Sequence, residues 1–209
     1  CRFTDNGTKM FTASGDQSCG LWDMAGGKRE GTLVSKFHGH TSDVMFLSIN
    51  PRSSTLFVTG SCDMRARVWD IRTPSHSTHE YWGHDADINC VEFFDDGQTF
   101  ATGSDDGTVR LWDLRSAREL ARLSEGSSAS AGITSLAISK SGGLLFAGQG
   151  DYNCSVWNTL EPNKSQTPHV LIAGNKRHTH ESRLSAVGVA PNGSAVCTGS
   201  WDNSLKIWA

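Results

Sequence analysis

The 209 residues are 37% apolar and 20% charged, with a formal charge of −3. A slightly acidic chain lacks the basic face that nucleic-acid binding needs, so no nucleic-acid partner is expected. No apolar run approaches the roughly 20 residues that cross a bilayer as a helix, and six cysteines (Cys1, Cys19, Cys62, Cys90, Cys154 and Cys197) without a Cys-x-x-Cys pair point to a reduced, cytoplasmic compartment rather than a disulfide scaffold.

In chain order, short strand-like runs alternate with turn-forming Gly, Asp and Ser. The first unit, about 1–37, has strands near Lys9 to Ala13, Cys19 to Trp22 and Thr32 to Phe37. Cys1-Arg2-Phe3 reads as the tail of a strand already under way, so upstream residues are expected. The second unit, 38–82, offers Val44 to Ile49, Leu56 to Thr59, Ala66 to Ile71 and a weaker Thr78 to Trp82. The third, 83–124, offers Ile88 to Phe94, Thr99 to Gly103, Thr108 to Leu114 and Glu119 to Leu123. The fourth, 125–175, has Ile133 to Ile138, Leu144 to Gly148, Cys154 to Trp157 and Val170 to Ala173. The fifth, 176–209, has Leu184 to Val189, Ala195 to Thr198 and Leu205 to Trp208, with no outer strand.

These units are copies of one pattern. Thr102-Gly-Ser-Asp-Asp-Gly-Thr-Val-Arg-Leu-Trp-Asp113 is a strand end, a tight turn and a second strand, which makes a hairpin. Trp22, Trp69, Trp112, Trp157 and Trp208 stand 47, 43, 45 and 51 residues apart, and Asp16, Asp63, Asp106, Asp151 and Asp202 repeat the same four separations. A period in the forties with Gly-His ahead (Gly39-His40, Gly83-His84) and Trp-Asp at the end is the mark of an all-β propeller of WD repeats, each blade a four-stranded antiparallel sheet. Five units predict an open arc of a parent ring of seven blades. The exposed ends of such an arc predict poor solubility.

Three units share a polar set at fixed offsets: His40, Thr59, Asp63 and Trp69; His84, Thr102, Asp106 and Trp112; His180, Thr198, Asp202 and Trp208. Hairpin geometry predicts a relay from the Trp N–H through the Thr hydroxyl and the imidazole to the carboxylate. A hydroxyl, an imidazole and a carboxylate also spell a Ser-His-Asp triad, but catalysis needs one such set with a free hydroxyl, and here the set recurs with a Trp donor on it. No catalytic residue, metal or cofactor is expected. The fourth unit departs, with Ala147 at the Thr position and Gly126 or Ser127 where the His would stand, and the first has Thr12, Asp16 and Trp22 without a visible His. His38 with His40 and His178 with His180 have metal-like spacing but no further placed ligand. Gly148-Gln149-Gly150 reads as a hairpin turn, Lys176-Arg177-His178 as a solvated loop, and Asp95-Asp96 and Asp105-Asp106 as turn formers.

The runs Gly39 to Met45, Gly83 to Cys90 and Phe100 to Asp106, and the ending Thr198 to Trp208, closely resemble heterotrimeric G protein β subunits. Gly132 to Ser135, Ser139 to Gly142 and Asn153 to Trp157 are similar to the same family. The resemblance covers nearly the whole chain, in order, and corresponds to about the C-terminal five-sevenths of such a subunit. It implies a non-enzymatic scaffold. One face would meet the GDP-bound α subunit and, after nucleotide exchange, effectors, through Asp43, Met45, Cys62, Asp87, Asn89, Asp105 and Trp201, each expected in a loop before a blade's first strand or in its central hairpin turn. It implies a γ subunit held mainly by an N-terminal helix that this sequence does not contain. Lipid on partners would supply the only membrane attachment, at the cytoplasmic face of the plasma membrane. A generic WD-repeat adaptor, ribosome-associated or ubiquitin-ligase scaffold, stays open as the alternative. It would keep the His, Thr, Asp and Trp but vary Met45, Asn89 and Trp201.

Overall fold

The computed structural model describes residues 1–25, 31–125, 131–161, 168–171 and 180–209. Nineteen strands form five antiparallel sheets among these residues, each built from consecutive strands. Sheet one contains β1 (Arg2–Phe3), β2 (Lys9–Ala13), β3 (Ser18–Asp23) and β4 (Thr32–His38). Sheet two contains β5 (Val44–Ile49), β6 (Leu56–Ser61), β7 (Ala66–Asp70) and β8 (His79–Tyr81). Sheet three contains β9 (Ile88–Phe93), β10 (Thr99–Ser104), β11 (Val109–Asp113) and β12 (Arg118–Leu123). Sheet four contains β13 (Ile133–Ile138), β14 (Leu144–Gln149), β15 (Cys154–Asn158) and β16 (His169–Val170). Sheet five has three strands, β17 (Leu184–Val189), β18 (Val196–Ser200) and β19 (Leu205–Trp208). Most bounds differ from expectation by one or two residues. β16 starts at His169, and residues 172 and 173 of the expected Val170 to Ala173 strand lie outside the described residues.

The hydrophobic core lies between blades rather than inside them. Phe11, Leu21 and Phe37 of sheet one pack on Leu47, Phe57 and Trp69 of sheet two. Val58, Val68 and Tyr81 of sheet two pack on Val91, Phe100 and Trp112 of sheet three. Val109, Leu111 and Leu123 of sheet three meet Ile133, Leu145 and Trp157 of sheet four, and Phe146 and Cys154 of sheet four meet Leu184 and Val196 of sheet five. The first strands of neighbouring sheets face one another, β5 to β9, β9 to β13 and β13 to β17. The result is an open arc of WD-repeat propeller blades. Sheet-on-sheet approach sets the glycine of the Thr-Gly-Ser runs: a Cβ on Gly60 would sit 2.6 Å from the Ile88 side chain, and one on Gly103 2.5 Å from the Ile133 side chain. Ordinary van der Waals contact has no room for either.

All five central turns place the residue after the repeated Asp in the left-handed region: Gln17, Met64, Gly107, Tyr152 and Asn203. Only one is glycine, so four turns carry backbone strain. The Asp offsets it. Its Oδ1 accepts the backbone N–H two residues on, from Ser18, Arg65, Thr108, Asn153 and Ser204 at 2.9–3.2 Å. This Asx turn is why the Asp recurs even where the His does not. Gly148 and Gln149 belong to β14, so the turn expected across Gly148 to Gly150 begins only at Gly150.

Candidate functional site: the blade relays and the rim

In sheet two the Trp69 Nε1–H donates to Thr59 Oγ1 at 2.9 Å, the Thr59 hydroxyl lies 2.7 Å from His40 Nε2, and His40 Nδ1 lies 2.8 Å from Asp63 Oδ2. Sheet three repeats this through Trp112, Thr102, His84 and Asp106 at 2.8, 2.7 and 2.8 Å. Sheet five does so through Trp208, Thr198, His180 and Asp202 at 2.9, 2.8 and 2.8 Å. With the hydroxyl hydrogen given to Nε2, the neutral imidazole carries its proton on Nδ1 and donates it to the carboxylate. Thr59, Thr102 and Thr198 are fully buried. A hydroxyl closed off on both sides has no face for a substrate. Sheet one keeps only the first link, Trp22 Nε1 to Thr12 Oγ1 at 2.9 Å.

Sheet four uses different chemistry. Ala147, buried at the Thr position, pairs across the ladder with Ser155. The Ser155 hydroxyl donates to Glu125, which also accepts from Gln149 Nε2 at 2.9 Å, and both Ser155 and Gln149 are buried. The polar group has moved one strand outward, and a carboxylate stands in for the imidazole. Gly126 and Ser127, expected at the His position, lie outside the described residues. Ser155 stands where the relay blades pair Arg67, Arg110 and Lys206 with their Thr, a difference in one residue that does not by itself point to Glu125.

Burial pushes the Asp63 and Asp106 carboxyls up, but hydrogen bonds from His40 and His84, with the Thr108 hydroxyl on Asp106 and backbone N–H donors on both, outweigh it and hold both below the usual carboxylate range. The Ser204 hydroxyl first, then the Glu181 backbone N–H and His180, outweigh desolvation and do the same for Asp202. A carboxylate with a lowered folded pKa contributes stability that is complete above its unfolded value, about 3.9, and is lost as pH falls through the folded one. Urea unfolding should therefore show no loss from these three groups between pH 7 and 5 and a steep loss below about pH 4, flattened in Asp106→Asn. A drop complete by pH 5 would place the acid sensitivity elsewhere.

The second constellation lies on the rim, where the loop before each blade's first strand meets that blade's central turn. Asp43 O accepts from Cys62 N at 2.9 Å, Asp87 O from Asp105 N at 2.9 Å, Gly132 O from Gly150 N at 3.0 Å and Arg183 O from Trp201 N at 3.0 Å. Trp201 thus occupies in sheet five the position of Cys62 and Asp105 in sheets two and three. Asn89 Nδ2 donates to Asp105 Oδ1 at 2.6 Å and to Ile133 O at 2.9 Å, which joins sheets three and four. Burial, a hydrogen bond with Asp87 and the charges of Asp87, Asp43 and Asp105 push the Cys62 thiol up to about 11. Asp43, Cys62, Asp87, Asp105 and Trp201 thus hold equivalent loop or turn places in their blades, and Asn89 touches Asp105.

Met45 and Asn89 lie inside β5 and β9, as the strand runs Val44 to Ile49 and Ile88 to Phe94 had them, and not in the loops where the binding-face reading put them. Pairing skips from Val44 to Phe46 and from Ile88 to Cys90, so each is the extra residue of a β-bulge. Thr134 and Ser185 are the corresponding residues in β13 and β17. A bulge re-aims the side chain it carries, and Met45 is half exposed there. No sequence signal marked these bulges.

With its thiol pushed up to about 11, Cys62 holds little thiolate at neutral pH. Iodoacetamide at pH 7.5 should modify exposed Cys1 at least tenfold faster than Cys62, and Asp87→Asn should speed Cys62. Peptide mass spectrometry reads both rates, and a faster Cys62 would contradict the acidic cradle.

A family model described as G protein beta WD-40 repeat protein matches residues 1–209. The chain belongs to that family. It is 47% identical to a guanine nucleotide-binding protein subunit beta of Oryza sativa subsp. japonica, 46% to one of Zea mays and 43% to one of Arabidopsis thaliana. Each match covers 100% of this chain and 55% of the relative, so the chain spans about half the length of the curated relatives it matches. Membership in the G protein β family favours that reading over the generic WD-repeat adaptor. Among the described residues no group of three metal-ligating side chains occurs, and no helix is long and apolar enough to cross a membrane.

Proposed function

We propose that the protein carrying this chain is a β subunit in heterotrimeric G protein signalling. The rim formed by Asp43, Met45, Cys62, Asp87, Asn89, Asp105 and Trp201 binds the GDP-bound α subunit and, once nucleotide exchange releases it, effectors. A γ subunit engages the full-length protein, and lipid on its partners holds the complex at the cytoplasmic face of the plasma membrane. The observation that carries this reading is an exposed Trp201 at the turn position that Cys62 and Asp105 hold in their own blades, beside bulge residues that the repeat does not require. An aromatic anchor with a polar surround is the composition of a binding hot spot. The test is capture of a purified α subunit by the full-length protein co-expressed with a γ subunit, in GDP and in activated form. Preference for the GDP form, weakened by Asp87→Ala, is expected. Equal capture of both forms would overturn the proposal.

A further inference from the structure

Trp82 has no part in the relays or in the rim set. It lies between β8 and His84 and is 61% exposed. The Arg65 guanidinium covers its ring at 3.5 Å from the centroid. Glu80 in turn holds the arginines, with Arg65 Nη1 at 3.7 Å and Arg67 Nη1 at 2.8 Å. An exposed indole fixed in this way loses little side-chain entropy when a partner covers its free side, which is the property that makes Trp an anchor. Arg65 belongs to the same turn as Cys62, and Met64, 44% exposed, sits between them. The patch is therefore continuous with the rim. Trp201 also has an arginine near its ring, Arg183, but more loosely, at 5.8 Å from the centroid.

We propose that Trp82 and Met64 form a second anchor point that docks a basic, apolar segment of a partner protein. Charge decides the kind of partner. The two arginines beside the patch are occupied by Glu80 and the Trp82 ring, whereas Asp43, Asp87 and Asp105 crowd the Cys62 side of the same turn and Asp85 lies exposed beyond His84. A segment that presents Leu or Phe to the indole and Lys or Arg to these acids complements both features. The inference concerns the patch itself and holds whether or not an α subunit is what the rim binds.

The test uses full-length protein and two synthetic amphipathic peptides, one of alternating Leu and Lys and its Leu and Glu counterpart. Binding is read by peptide fluorescence anisotropy at low and high salt and by the indole N–H resonances of the labelled protein. The Lys peptide should bind, weaken with salt, shift the Trp82 resonance and lose about tenfold in affinity with Trp82→Ala. Trp82→His serves if the alanine variant melts early, and Arg65→Gln, which frees the ring, should give a smaller loss. No binding of the Lys peptide, equal binding of the Glu peptide, or binding that leaves the Trp82 resonance unmoved would each overturn the proposal.

Discussion

Thr102→Val should lower the unfolding free energy by roughly 3 kcal/mol. The substitution keeps the volume of a fully buried side chain, so no cavity forms. What it removes is the group that accepts from Trp112 Nε1 at 2.8 Å and meets His84 Nε2 at 2.7 Å. Both partners are more than nine-tenths buried and would be left without water. Each desolvated, unpaired group costs about 1–3 kcal/mol. Thr12→Val breaks one bond instead of two, from a Trp22 that is only partly buried, and should cost about 1 kcal/mol. Urea titrations of the two variants beside the parent check the ranking. A Thr102→Val loss below that of Thr12→Val would mean that the relay contributes no more than a single surface-side hydrogen bond.

Trp201→Ala should weaken capture of a GDP-bound α subunit by about 30-fold or more, which corresponds to the 2 kcal/mol or greater cost of truncating a hot-spot Trp. The fold should barely notice, because Trp201 is 68% exposed, the bond from its backbone N to Arg183 O survives the change, and the Arg183 guanidinium approaches its ring only to 5.8 Å from the centroid. Separation of the two readouts is the point: affinity falls while the thermal midpoint stays put. A variant that binds as the parent does, or one that loses stability in step with affinity, would remove Trp201 from the proposed interface. Asp87→Ala should give a smaller loss. Its side chain bonds to Cys62 and lies at the polar edge of the rim, where single charges are worth less than central aromatic anchors.

The relay and the rim answer different physical demands, and the sequence exposes them unequally. Repetition made the first legible: His40, His84 and His180 keep nearly the same distance from their Thr, Asp and Trp, because one hydrogen-bonded solution to burying polar groups serves every blade. Where the solution changed, the pattern failed. The Glu125, Gln149 and Ser155 cluster repeats nowhere else, so nothing in residue type or spacing tied a carboxylate before β13 to a hydroxyl on β15. Rim residues are by nature the ones that do not repeat. Asp43, Cys62 and Trp201 were singled out by resemblance, and their common placement follows from the main-chain bonds that join each entry loop to each central turn.

By itself, then, the sequence determined the period, the five hairpins, the Asp-headed turns and the partners within each relay, because each is a local solution written once per blade in residues within about 30 positions of one another. Only the tertiary structure decided that the core lies between sheets, that Met45 and Asn89 sit on bulges, and that Asn89 bridges to Ile133 44 residues away. It alone laid Arg65 flat on Trp82. Those features depend on how one blade leans on the next. Hydrophobic periodicity says which face of a strand is buried, but not which neighbour buries it or where an extra residue must be accommodated for two twisted sheets to meet.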